Sequence, residues 1–171
     1  MSSKTVTASN YRPAFEHKLT TADALRLNTA GLPRPWVLTN GVFDVLHRGH
    51  VSYLAQAQSL GASLIVAIND DDSVRRLSKG AERPLNPALD RAMVLAALGC
   101  VDAVIVFSEN TAESILADLQ PEVYAKGGDY ALDQLPEAAV VAGYGGVTQL
   151  IPIAHARSTS DLVQHIKKLA A

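Results

Sequence analysis

Short apolar runs alternate with amphipathic stretches along most of this chain. Trp36-Val37-Leu38 is apolar and β-favouring, which predicts a short buried strand. Residues 51–58 carry the spacing of an amphipathic helix that ends near Gly61. Residues 64–68 form a continuous apolar run of strand length. A short helix over 72–78, capped by Asp72, and a longer one over 87–98, with Pro87 near its first turn, are predicted next. Residues 104–107 read as a strand, 111–121 as a helix with Glu113 in its first turn, and 122–125 as another strand. A helix over 136–142, a glycine turn at 143–146, a strand at 147–151 and a last helix over about 158–169 complete the pattern. Strands separated by helices of crossover length predict an α/β fold, a parallel sheet with helices on both faces.

The first 34 residues read differently. Residues 1–12 are small and polar and predict a disordered start. A threonine-capped short helix follows over 20–27, stopped by Gly31 and Pro33. This divides the chain into an N-terminal arm, 1–34, and one domain, 35–171. The arm suits a dimer contact or a substrate-side element.

Composition narrows the setting. At 171 residues with 48% hydrophobic residues, the chain can bury a proper core. A formal charge of −2 gives no global drive toward nucleic acid or membrane, so any basic groups that matter act locally. The single cysteine, Cys100, excludes an internal disulfide and fits a reducing compartment; its place at an apolar helix end predicts buried filler rather than a nucleophile. The early residues hold no apolar core behind their lysine, and no later run approaches a membrane span, which predicts a cytoplasmic protein.

The chemistry-bearing residues then fall in a telling place. Thr39–His50, Asn69–Asp72, Lys126–Tyr130 and Arg157–Ser160 all follow predicted strands, and in a parallel sheet ligands bind past those carboxyl ends. His47 and His50 stand three apart at a helix start, where backbone N–H groups and the helix dipole favour an anion. Imidazole N–H groups there can hydrogen-bond the charge that builds on a phosphate under attack. Gly49 leaves space between them for close approach. A zinc site is the rival reading, but zinc wants three or four ligands, and His17, His155 and His165 follow no ligand spacing. Arg75, Arg76 and Arg83 are read equally well as a solvated surface.

His47-Arg48-Gly49-His50 resembles the His-x-Gly-His signature of the nucleotidyltransferase superfamily. The longer Thr39-Asn40-Gly41-Val42-Phe43-Asp44-Val45-Leu46 run before it looks like the cytidylyltransferase-like branch, and within it the members that adenylylate heptose 1-phosphate. The resemblance spans about residues 36–168 and implies a Rossmann-like domain. It implies that Asn40, Gly41, Phe43, His47, Gly49 and His50 meet the nucleotide. Lys126, Gly128 and Asp129, in Lys-Gly-Gly-Asp, would hold ribose and base. Arg157, Ser158, Thr159 and Ser160 resemble the second signature, a hydroxyl-rich helix start for the triphosphate. Lys79 and Arg91 look like a mobile lysine and a fixed arginine for the sugar phosphate or leaving pyrophosphate. With His47 and His50 they form the implied catalytic set. A serine precedes Lys79 where relatives often carry leucine. Asn69 and Asp70 would face the sugar. For Asp44 the resemblance favours substrate or backbone positioning over metal ligation.

The implied reaction transfers AMP from ATP to a heptose 1-phosphate for lipopolysaccharide precursors, with Mg²⁺ held mainly by phosphates and no dedicated protein metal site. The implied partners are these small molecules and a second copy in a homo-oligomer, a dimer by preference. A CTP-dependent enzyme acting on glycerol 3-phosphate shares nearly every motif. A non-catalytic nucleotide-binding module is the reading of another class.

Overall fold

The computed structural model describes residues 12–28, 31–77, 83–128 and 131–152, together with Ile166, Lys168 and Leu169. Its strands are β1 (Trp36–Gly41), β2 (Ser63–Asn69), β3 (Ala103–Phe107), β4 (Val123–Gly127) and β5 (Val147–Ile151). They form one parallel sheet in the order β3-β2-β1-β4-β5. The strand order reverses between β1 and β4, which makes that junction the switch point where a ligand crevice opens.

The helices are α1 (Ala22–Arg26), α2 (Arg48–Gln58), α3 (Asp71–Arg76), α4 (Ala88–Ala96), α5 (Glu113–Leu119) and α6 (Pro136–Gly143). Side chains alternate across the strands and feed two cores. Val37, Leu64, Val66 and Ile68 pack with Leu54 and Ala57 of α2 and Leu95 and Ala96 of α4. Trp36, Leu38, Ile65 and Ala67 pack on the opposite face with Leu25 of α1, Leu116 and Leu119 of α5 and Val141 of α6. This is why β2 reads as an unbroken apolar run: all seven of its residues are buried. The predicted α/β class, parallel sheet and two-sided helix cover are all present.

The described part of the arm packs onto this body. Leu25 is fully buried, Phe15 and Leu19 press on the first core, and the Thr20 N–H donates to the Val104 carbonyl at 3.0 Å on the outer edge of β3. Thr21 caps α1 by accepting from the Ala24 N–H at 3.2 Å.

Several predicted boundaries shift, two of them for reasons visible in the hydrogen bonds. The helix predicted over 72–78 begins one turn-position earlier, because Asp70, not Asp72, is the cap: its Oδ1 accepts from the Ser73 N–H at 2.6 Å. Asp72 instead pairs with Arg75 on the exposed face. The helix predicted to open at Thr111 starts at Glu113, with Thr111 hydrogen-bonded to that glutamate. The predicted helix over 158–169 lies outside the described residues apart from Ile166, Lys168 and Leu169.

Candidate active site at the switch point

The chain leaves β1 through Val42–Leu46 and enters α2 at His47. His47 is the N-cap residue: its Nδ1 accepts the Gly49 N–H at 3.1 Å. A nitrogen that accepts carries no proton, so the neutral ring keeps its N–H on Nε2, a donor for a ligand. His50 lies in the first turn, and the two imidazoles stack with centroids 3.8 Å apart and planes at 23°. Phe43 meets His50 edge-on at 5.2 Å. Burial, then the charge of His47, lowers the His50 pKa to about 4, against an opposing hydrogen bond from the ring to the Val45 backbone. Burial also lowers that of His47. At neutral pH the pair is therefore uncharged, at the positive end of a helix.

Phe43 reaches His50 only by adopting φ +48°, a conformation that non-glycine residues rarely take. Its ring lies over Gly41, where an added Cβ would stand 2.9 Å from Phe43 Cε2. Gly41 is thus a glycine for the sake of Phe43. Gly127 has the same explanation on β4, since a Cβ there would meet the Tyr53 ring at 2.9 Å. Tyr53 is pinned in turn: the Thr39 hydroxyl lies 2.5 Å from its own, which donates to the Ala125 carbonyl at 2.9 Å. Burial pushes the Tyr53 pKa up to about 12.

Behind the signature loop sits a clasp of buried charges. Asp44 is 5% exposed and accepts from Arg83 Nη1 at 2.6 Å, from the Leu85 N–H at 2.8 Å and from the Asn86 N–H at 3.0 Å. Burial raises its pKa, but these bonds and the Arg83 charge outweigh it and hold the carboxyl below the usual carboxylate range. Arg91, from α4, is 2% exposed. It donates to the Asn86 carbonyl at 2.9 Å, the Val42 carbonyl at 2.8 Å and Asp71 Oδ1 at 2.7 Å. Both residues therefore join the loop after β1 to the segment after residue 82. A phosphate contact from Arg91 has no open surface in this arrangement, and Arg83 is a clasp member rather than solvated surface. Of the remaining cluster, Arg75 does lie on the exposed face, and Arg76 reaches Asn110 and the Ser108 carbonyl.

On the far side of the crevice, Asn40 at the end of β1 meets β4. Its Oδ1 accepts from the Tyr124 hydroxyl at 2.7 Å and from Lys126 Nζ at 3.0 Å. Lys126 also donates to the Tyr124 hydroxyl at 3.0 Å and pairs with Glu137 Oε1 of α6 at 3.5 Å. Gly128 follows at φ +133°. At the end of β2, Asn69 is 3% exposed and its amide donates to Ser73 Oγ at 2.8 Å and the Glu109 carbonyl at 3.1 Å. With Asp70 engaged as a cap, this pair is tied into α3 and the loop after β3. Lys79, Asp129, Arg157, Ser158, Thr159 and Ser160 lie outside the described residues.

A cytidylyltransferase-like family model matches residues 38–168. The chain belongs to this family. It is 54% identical over 156 residues to the D-beta-D-heptose 1-phosphate adenylyltransferase of Bordetella bronchiseptica, covering 90% of this chain and 96% of that one. It is 51% identical over 132 residues to the bifunctional protein HldE of Pseudomonas putida, of which the match spans 28%. Among solved structures, the lipopolysaccharide core biosynthesis protein of Thermoplasma volcanium superposes with a TM-score of 0.59 at 24% identity. That superposition covers 71% of this chain and 98% of that one, and it speaks for the fold.

His47 and His50 stand where α2 begins after β1, and Asn40 and Lys126 meet where β1 and β4 flank the switch point. Tyr124 and Glu137 are partners of Asn40 and Lys126 that the sequence reading missed. Tyr124 reads as strand filler and Glu137 as an ordinary first-turn acid; the pairing of β1 with β4 brings Tyr124 to Asn40, and α6 brings Glu137 to Lys126.

Proposed function

We propose that this chain transfers AMP from ATP to a heptose 1-phosphate, giving ADP-heptose and pyrophosphate for lipopolysaccharide precursor assembly. The 54% identity to the Bordetella adenylyltransferase over 90% of this chain carries this reading. The sugar phosphate oxygen attacks the α-phosphorus in line, the bond to the β-phosphate oxygen breaks, and pyrophosphate leaves. The attacking oxygen is already ionised, so no side chain serves as nucleophile; positioning and charge stabilisation supply the rate.

The neutral imidazoles of His47 and His50, together with the free N–H groups of α2, donate to the phosphate oxygens where charge grows. Asn40, Phe43, Lys126, Gly128 and Asp129 hold the nucleoside end. Lys79 and the segment Arg157–Ser160 bring further donors and charge to the phosphates. Arg91 and Asp44 hold the loops that present these groups, as do Asn69 and Asp70 on the sugar side. Mg²⁺ arrives with ATP, bound through phosphate oxygens and neutralising their charge. Asp44 has both oxygens engaged by Arg83, Leu85 and Asn86.

The setting is the cytoplasm and the working form a homodimer, with small molecules as its only other partners. Among the described residues no helix is long and apolar enough to cross a membrane, and Leu85, Leu89 and Val94 expose apolar surface around α4. Light scattering on the purified chain checks the dimer. Pyrophosphate release, measured with ATP or CTP against heptose 1-phosphate or glycerol 3-phosphate, checks the reaction. Turnover confined to ATP with heptose 1-phosphate is expected; turnover only with CTP and glycerol 3-phosphate overturns it.

A further inference from the structure

Lys126 has an ammonium group, which donates and never accepts. The Asn40 amide atom that faces it at 3.0 Å must then be the oxygen, and the Tyr124 hydroxyl approaches the same oxygen at 2.7 Å. The amide nitrogen is turned the other way. Among the described residues no hydrogen bond engages Asn40 Nδ2, and the side chain is only partly buried. Glu137 is what holds this arrangement. It is 5% exposed, and its Oε1 stands 3.5 Å from Lys126 Nζ, which is itself largely enclosed. Removing the carboxylate takes a negative charge from beside a largely enclosed cation and loosens the lysine's hold on Asn40.

We propose that Glu137 is a positioning residue of the nucleotide site. Through Lys126 and Tyr124 it locks the Asn40 amide so that Nδ2 presents two donors to an acceptor on the nucleotide. The inference rests on the ATP reading above and adds a residue of α6 that touches no ligand. It separates two jobs for Lys126: the lysine orients Asn40 rather than supplying a free charge.

A double-mutant cycle on ATP affinity tests it, with calorimetry on the full chain and melting temperatures in parallel. Asn40→Ala removes the donors and is expected to weaken ATP binding about tenfold. Glu137→Gln keeps the shape of the side chain and is expected to weaken it about fivefold, because the negative charge beside Lys126 is lost. If Glu137 acts through Asn40, the double variant binds as weakly as Asn40→Ala alone. Glu137→Asp restores a carboxylate within reach of the flexible lysine and recovers at least half of the loss. Multiplicative losses, near fiftyfold in the double variant, overturn the proposal, as does unchanged affinity in Glu137→Gln. Should Glu137→Gln fail to fold, the cycle of Tyr124→Phe with Asn40→Ala reads the same lock, and multiplicative losses there overturn it equally. A wild type that binds ATP but turns over no heptose 1-phosphate defeats the substrate reading and leaves the cycle to decide this one. A wild type that does not bind ATP overturns both.

Discussion

Replacing Asp44 with asparagine tests whether the clasp is structural. The two Asp44 oxygens divide their work: Oδ1 takes the Leu85 and Asn86 N–H groups, and Oδ2 takes Arg83. Asparagine can keep its oxygen on the two backbone donors, which sets its amide nitrogen against the Arg83 guanidinium, donor facing donor. The arginine side chain is 12% exposed, so its charge is left with little water to replace the lost partner. Losing one charge-assisted bond and weakening two others costs about 3 kcal/mol. For a domain of this size that lowers the melting temperature by roughly 6–12 °C. The effect also has a pH signature. Asp44 is held below the usual carboxylate value in the folded state, so its stabilisation is complete at neutral pH. It fades as pH falls below about 4, once the unfolded carboxyl and then the folded one protonate. Urea midpoints for both proteins at pH 7 and at pH 3.5 measure this. A gap at pH 7 that narrows at pH 3.5 is expected. A variant within 2 °C of wild type, or a gap unchanged with pH, refutes the clasp.

Three further outcomes follow from the same geometry. Arg91→Lys replaces a fork on three acceptors with a single point charge and is expected to cost about 2 kcal/mol of stability by chemical denaturation; an unchanged midpoint with a raised KM for the sugar phosphate would return Arg91 to ligand contact. His50 has a folded pKa near 4 against an ordinary 6.5, so the unfolded chain binds more protons between those values and stability falls as pH drops through them. His50→Asn is expected to flatten that loss between pH 7 and pH 5; an equal slope in both proteins contradicts the assigned burial. Gly127→Ala drives a methyl group into the tethered Tyr53 ring and is expected to cost about 1–3 kcal/mol; a neutral effect in a thermal melt would mean that Tyr53 is free to move.

Strand and helix succession was legible because each strand is short, apolar and bounded by turn residues. The run over 147–151 is a strand with those bounds, and 64–68 lies inside β2. Caps were harder. Asp70, Asp71 and Asp72 are equivalent on paper, and only the backbone direction after β2 makes Asp70 the acceptor for Ser73. The two histidines and Asn40 could be placed at and beyond the carboxyl end of β1 because a strand end, a glycine and a helix start adjoin them in the chain. Arg91, read as a phosphate ligand, is instead enclosed among Val42, Asp71 and Asn86, contacts made across 49, 20 and 5 residues of chain. Local pattern carries no signal for such closure. Glu137 was invisible for the same reason: its partner lies on another element and the pair forms only when α6 folds back over β4.

Turnover of His47→Ala and His50→Ala, in protein whose melting temperature matches wild type, bears most directly on the idea that stacked neutral imidazoles at the start of α2 stabilise the transferring phosphate. Single-donor removal is expected to lower kcat by roughly 10²–10³ in each variant. Either variant turning over within threefold of wild type would contradict it.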